Sequence, residues 1–412
     1  MTMIDFIKNN DKSPSFLGIY IHIPFCRTKC LYCDFCSFVS RSDGEREEYV
    51  SALLKEIEAR GTKEYLVDTI YFGGGTPSLL SSKQIGRILS ALRENFVVCE
   101  DVEITLECNP MISKRDVEEA VPYGDGLDLR DVEDVAPYGV EGYFAQLRRI
   151  GVNRLSIGIQ SAIDSELKLI GRRHTFEEAK RTFFAARESG FENISVDLMF
   201  GIPSQTMESL EISLRQFISL GAEHISIYSL QLEEGTPLYR LQDRYIIPDD
   251  DVVASMYENV VSLMKEAGYS HYEISNFAKE DRESRHNSKY WRLDEYLGLG
   301  VAAHSDFGGK RLENTKDMAK YLSGECVENE LVIGESEREF EFLMLGLRTS
   351  EGISKSEFLH RFGIDFDVKY GEKVKKLEKM GYFWQNDDRI ALNERGFEVS
   401  NMILAQILDF DY

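Results

Sequence analysis

Four cysteines, Cys26, Cys30, Cys33 and Cys36, fall within eleven residues of this 412-residue chain. Three of them form Cys26-x-x-x-Cys30-x-x-Cys33, a spacing that gathers three thiols on one short loop or stacks them on one helical face. Three thiolates can hold three corners of a 4Fe–4S cluster and leave the fourth iron open for a ligand. Completed by Cys36 or His22, the same residues could instead form a zinc knot. So dense a group is a poor fit to inert core packing. Met1 to Asp11 is polar and mixed in charge, which is unlike a signal peptide. The expectation is a cytoplasmic chain with reduced thiols, and therefore a metal site rather than a disulfide framework.

Two further groups could meet a ligand. Tyr71-Phe72-Gly73-Gly74-Gly75-Thr76-Pro77 puts three glycines in a row, which lets backbone approach a ligand closely. It matches neither a dinucleotide fingerprint nor a P-loop, and alone it is equally a tight turn. Glu107, Gln160, Arg172 and Asp197 form a scattered polar set, each at or just beyond the C-terminal end of a strand-like stretch.

The elements that must position these residues alternate. Strand-like stretches are Gly18–Phe25, Asp68–Phe72, Val102–Glu107, Asn153–Gln160, Asn193–Phe200 and Glu223–Leu232. Helical spacing falls between and after them, at Glu45–Arg60, Ser82–Phe96, Tyr143–Ile150, Phe176–Ser189, Met207–Leu220 and Asp250–Ala267. Six strands alternating with helices predict βαβ crossovers and a parallel sheet. Each strand also has a polar stripe, such as Arg154, Ser156, Gly158 and Gln160 opposite Leu155, Ile157 and Ile159. Parallel strands covered on both faces read as continuous apolar runs. A polar stripe therefore predicts a barrel whose helices cover the apolar side and whose lumen holds polar groups and a ligand. In such barrels ligands sit at the C-terminal ends of strands, where the cysteine loop and the glycine run also fall.

Residues 111–142 contain a short repeat: Arg115-Asp116-Val117-Glu118 returns as Arg130-Asp131-Val132-Glu133. Two copies are too few for a solenoid, and the segment reads as an acidic surface insertion. The last ~80 residues change character to three helices, a hairpin and a final helix, a winged-helix-like pattern. From Glu335 to Tyr412 there are 16 acids and 11 bases, which favours docking or packing over DNA binding. The whole chain has 71 acids against 48 bases, a net charge of −23, so no broad nucleic-acid surface is expected. No run of 18 apolar residues offers a membrane span.

The cysteine loop resembles the signature of radical S-adenosylmethionine (SAM) enzymes. More closely, the chain is similar to the family of oxygen-independent coproporphyrinogen III oxidase (HemN) and its HemW branch of haem chaperones. The residues that carry this run nearly end to end: His22-Ile23-Pro24-Phe25-Cys26, Cys33-Asp34-Phe35, Gly73-Gly74-Gly75-Thr76-Pro77-Ser78, Asn153-Arg154-Leu155-Ser156-Ile157-Gly158 and Asp197-Leu198-Met199-Phe200-Gly201. His286-Asn287-Ser288-Lys289-Tyr290-Trp291 matches the H-N-x-x-Y-W motif associated with HemW.

The resemblance implies an α/β fold: an incomplete (β/α)6 radical SAM barrel over 1–310, carrying the 111–142 insertion, and a small helical, winged-helix-like C-terminal domain over 311–412. It implies that Cys26, Cys30 and Cys33 ligate a 4Fe–4S cluster, and that Tyr20, Tyr32, Gly74, Gly75, Thr76, Glu107, Gln160, Arg172 and Asp197 surround SAM. One-electron reduction, from a donor such as flavodoxin or ferredoxin, would cleave SAM to a 5′-deoxyadenosyl radical. Two departures from the oxidase pattern favour the chaperone: the extra cysteine is at 36 rather than 35, and only 25 residues precede Cys26. The expected function is to bind haem as cargo and deliver it to haem-dependent respiratory proteins, membrane-associated ones among them. The alternative is oxidative decarboxylation of coproporphyrinogen III. His286, Tyr290 and Trp291 are the candidate haem contacts, against the alternative that they pack the barrel floor. Arg172, Arg173 and Arg285 are the candidate partners for haem propionates.

Overall fold

The structure, a computed structural model, describes residues 15–40, 42–110 and 139–408. The repeat-containing stretch expected as an insertion lies almost wholly outside the described residues. Six parallel strands appear in chain order: β1 (Ser15–Ile23), β2 (Tyr65–Gly74), β3 (Val97–Cys108), β4 (Arg154–Gln160), β5 (Ile194–Phe200) and β6 (His224–Ser229). Helices α1 (Asp43–Ala59), α2 (Ser82–Asn95), α3 (Gly139–Ile150), α4 (Phe176–Glu188) and α5 (Met207–Leu220) connect them, and α6 (Asp250–Glu266) follows. Capping boxes start three of these helices, at Ser81, Thr175 and Thr206, where a side-chain oxygen takes a backbone N–H left over by the first turn.

The strands also stand side by side in chain order. This decides between an open doubly wound sheet and a barrel. Right-handed crossovers between successive neighbours, all stepping the same way, put every helix on one face. The sheet then curls with its helices outside, and its other face has no helix layer to cover it. One core accordingly lies between strands and helices, with Leu155, Ile157, Ile194, Val196, Phe144 and Phe217 among its members. The opposite stripe, including Thr69, Thr105, Arg154, Ser156 and Ser195, is polar yet buried, because it faces the lumen.

The barrel is not closed. Beyond β6 the sheet turns antiparallel through β7 (Ser270–Glu273) and β8 (Asn276–Ala278), in the order β6-β8-β7. Beyond β1 it continues through β9 (Tyr296–Leu299), β10 (His304–Phe307), β11 (Lys310–Asn314) and β12 (Val327–Val332). The terminal strands β7 and β12 do not pair with each other. Helix α7 (Arg285–Arg292) packs under the floor, where Lys289 forms a 2.8 Å ion pair with Asp68 of β2.

A second core begins later than the expected residue 311, because β11 and β12 hydrogen-bond into the large sheet. It is built from α8 (Glu335–Gly346), α9 (Lys355–Phe362), α10 (Phe366–Glu378), a three-stranded sheet (β13 Ile353–Ser354, β14 Phe383–Gln385, β15 Arg389–Leu392) and α11 (Ser400–Leu408). Phe358 is at its centre, in contact with the rings of Phe342, Phe362, Phe366 and Tyr370. Backbone bonds fasten this unit to the barrel: Ser350 N–H donates to Tyr272 O, and Ile274 N–H to Arg348 O. Among the described residues no helix is long and apolar enough to cross a membrane.

Candidate functional site

The cysteine loop leaves β1 at the mouth of the barrel and is closed at its base. Phe25–Cys26 pairs in parallel with Phe38–Val39, and Ser40 N–H donates to Cys26 O. Two backbone bonds tie the loop to the rim: Leu31 N–H donates to Ile170 O at 3.1 Å, and Leu238 N–H to Leu31 O at 2.9 Å. From below, the His22 ring meets Cys36 O at 2.9 Å. A loop of this length would ordinarily be mobile; pinned at base, rim and underside, it can present its thiols in a set arrangement.

Each thiol has a distinct neighbour. Thr76 Oγ1 donates to Cys26 Sγ at 3.6 Å, and Arg172 Nη1 to Cys30 Sγ at 3.5 Å. Burial pushes the Cys26 and Cys33 thiols up from their ordinary values. Among the described residues no three His, Cys, Asp or Glu side chains converge closely enough to hold one metal ion. A cubane fits this donor set, since it offers a separate iron to each thiolate, and the buried guanidinium of Arg172 would offset its charge.

The loop roofs a cavity of about 560 Å³ that descends into the lumen. Tyr32, Gly74, Gly75, Thr76, Glu107, Gln160, Arg172 and Asp197 all line it, as the polar-stripe argument requires. Gly75 is needed for close approach: a Cβ there would sit 2.7 Å from Phe25 O. Gly74 has φ +112°, and a Cβ would strike the His22 ring. Asn109 bridges the rim, accepting from Arg172 Nη2 at 2.8 Å and donating to Thr76 Oγ1 at 3.0 Å.

Glu107 is a buried carboxyl of the lumen with two hydrogen-bond donors. Tyr71 OH donates to its Oε1 at 2.7 Å and Gly74 N–H to its Oε2 at 3.3 Å. Burial, reinforced by the charge of Asp197, still pushes it up to about 7. Burial raises Asp197 as well, against a 3.0 Å hydrogen bond from Ser156. Two carboxyls raised by burial hold protons more readily than exposed ones, and a ligand that brings positive charge or hydroxyl donors favours their ionised form.

Tyr20 is on the same lumen stripe: its hydroxyl meets His22 Nδ1 at 3.1 Å, and its ring stacks on Tyr71 and beside His286. Tyr71, two residues before the glycine run, lines the cavity, and its place on the lumen stripe of β2 was the available clue.

One correction concerns the H-N-x-x-Y-W stretch. His286 is fully buried, with Nδ1 2.8 Å from Thr69 Oγ1 and Nε2 2.9 Å from the Tyr290 hydroxyl. Both ring nitrogens have a hydroxyl partner in this structure. Burial, then the charges of Lys289 and Arg154, holds this imidazole down to about 3, so it is neutral. The Tyr290 ring is wedged edge-on against Tyr296. Trp291 faces away from the lumen, into a cleft of about 1150 Å³ between the barrel floor and the C-terminal unit. The stretch packs the floor, and Asn287 is its member that reaches the lumen cavity. The candidate propionate partners are not grouped: Arg172 and Arg173 are at the mouth, whereas Arg285 is below the floor, where it donates to Asp101 O.

Residues 20–217 match the radical SAM superfamily, and residues 335–399 match the HemN C-terminal domain. The haem chaperone HemW of Bacillus subtilis is 35% identical over 94% of this chain and 98% of its own length. That of Lactococcus lactis is 33% identical over 94% and 96%. Coproporphyrinogen III oxidase (HemN) from Escherichia coli superposes with a TM-score of 0.78 at 23% identity, over 96% of this chain and 90% of that one, a likeness of fold.

Proposed function

Because the chain belongs to the HemW family within the radical SAM superfamily, we propose that it is a haem chaperone that binds haem as cargo and passes it to haem-dependent respiratory proteins. The observation that carries this reading is an identity with HemW proteins that spans both chains almost entirely, barrel and C-terminal unit together.

In this reading the protein works in the cytoplasm, and some of its acceptors are at a membrane. Cys26, Cys30 and Cys33 would hold a 4Fe–4S cluster, and the cavity they border would take SAM. The cluster, reduced by a flavodoxin- or ferredoxin-like donor, supplies one-electron chemistry toward SAM. The chain's own residues do the rest. Thr76 and Arg172 hydrogen-bond two of the sulfurs, which steadies them as thiolates. Gly74 and Gly75 clear space for the methionine part of SAM. Glu107, Gln160 and Asp197 accept hydrogen bonds from its polar groups. The roof formed by the cysteine loop keeps water from that space.

The experiment is anaerobic reconstitution of the cluster followed by addition of haem, or of coproporphyrinogen III with SAM and a reductant. The expected result is stoichiometric haem binding, with transfer to a haem-free acceptor and no porphyrinogen turnover. Conversion of coproporphyrinogen III to protoporphyrinogen IX would overturn the chaperone reading.

A further inference from the structure

The lumen contains a cation that no group in the described chain claims. Arg154, the first residue of β4, is 2% exposed and lines the same cavity as the cysteine loop. Among the described residues no hydrogen bond or ion pair reaches its guanidinium, and its Nε is fully buried without a partner. The other lumen guanidinium, Arg172, is engaged by Cys30, Asn109 and Gly158. The two lumen carboxyls are engaged as well: Glu107 by Tyr71 and Gly74, and Asp197 by Ser156 and Ser226.

One neighbour shares this incompleteness, and another borders the same space. Thr105, paired with Arg154 across β3 and β4, has a buried hydroxyl without a partner. Asn287 of α7 borders the same cavity. An unpaired buried guanidinium is costly, and such a group persists where a ligand completes it. Its planar fork suits a carboxylate, which it can bind with two parallel hydrogen bonds.

We propose that Arg154 forms the floor of an anion subsite that takes the carboxylate of a ligand occupying the lumen, with Thr105 and Asn287 beside it. Of the anions such a fork can hold, a carboxylate is the one that both candidate ligands of the lumen carry. Its source is a porphyrin propionate or the amino-acid end of a SAM molecule, and only the first choice rests on the haem chaperone reading.

The test uses cluster-loaded wild type, Arg154→Gln and Arg154→Lys, titrated with two matched pairs of probes: haem against haem dimethyl ester, and SAM against decarboxylated SAM. Loss of one charge-assisted contact predicts that Arg154→Gln weakens one free-acid probe by about 10- to 100-fold while leaving its carboxylate-free counterpart unchanged. Arg154→Lys should recover part of that loss. The pair that responds names the source. Thermal stability should hold or rise in Arg154→Gln, because a buried unpaired charge is removed. If neither pair distinguishes the variants, or if Arg154→Gln melts several degrees lower with all four probes weakened alike, the subsite is overturned and Arg154 is structural. Failure of wild type to bind haem would overturn the cargo reading instead, and the SAM pair would then decide the subsite by itself.

Discussion

SAM affinity should depend on pH through Glu107. Its carboxyl is buried and held at about 7, so near neutrality it is only half ionised before ligand arrives. Bound SAM would bring a sulfonium and ribose hydroxyls into the lumen, and both favour the carboxylate. If binding returns the group to its ordinary acidity near 4.5, SAM must displace a proton whenever the pH is below 7. Each pH unit below 7 then costs about 1.4 kcal/mol, or tenfold in affinity, and above roughly pH 8 the dependence vanishes. The assay is equilibrium titration of cluster-loaded protein from pH 6 to 8.5, with calorimetry in two buffers to count protons. About half a proton should leave per SAM near pH 7. Glu107→Gln should bind more weakly at pH 8 and show no slope. Stability without SAM gives a second readout of opposite sign. A carboxyl raised in the folded state contributes its stability fully below the unfolded value and loses it as the pH rises through 7. The wild type should therefore lose up to about 3 kcal/mol relative to Glu107→Gln between pH 5 and 8. A pH-independent SAM affinity in the wild type, or a slope that survives in Glu107→Gln, would refute the assignment.

Three further outcomes are expected. Cys30→Ala should fail to retain iron and sulfide after reconstitution, whereas Cys36→Ser should load like wild type; iron counting and visible absorption distinguish them. Gly75→Ala puts a Cβ 2.7 Å from the Phe25 carbonyl, so the backbone must shift; thermal melts should show a cost of about 1–3 kcal/mol, with SAM affinity reduced. Phe358→Ala empties the centre of the second core and should destabilise it by about 3–5 kcal/mol, seen as an early transition of the C-terminal unit ahead of the barrel.

Much of the barrel was legible because its two constraints act at short range. Period-two alternation sets which residues face in, and the helices between strands set the direction of travel. Asn153–Gln160 and Met207–Leu220, read from pattern, appear at Arg154–Gln160 and Met207–Leu220. Glu107, Gln160 and Asp197 could be grouped from strand position alone, because consecutive parallel strands bring their C-terminal ends to one mouth. What was not legible depends on which partner each side chain takes in space. Tyr20 shares the lumen stripe with His22, and its hydroxyl meets that imidazole. His286 belongs to a stretch that suggests haem, but its ring meets Thr69, 217 residues earlier. The boundary expected at 311 failed for a similar reason: strand pairing, not composition, draws β11 and β12 into the large sheet.

Net charge misleads in the same way when it is taken as a property of the site. An excess of 23 acids excludes a broad phosphate-tracking surface, because that surface must carry clustered cations. It says nothing about a buried stretch of lumen wall, where each charge is set by immediate neighbours and screening is weak. There the structure buries two guanidiniums in the cavity of about 560 Å³. Arg172 is satisfied by sulfur and oxygen at the mouth, so its charge is suited to an anionic cluster. Arg154 lacks such partners. Were its purpose only to balance Glu107 and Asp197, those carboxyls would be held low; burial instead leaves both raised despite the attraction of Arg154. Among the described residues no hydrogen bond or ion pair joins Arg154 to these acids, and a ligand anion is a partner that the cavity can admit.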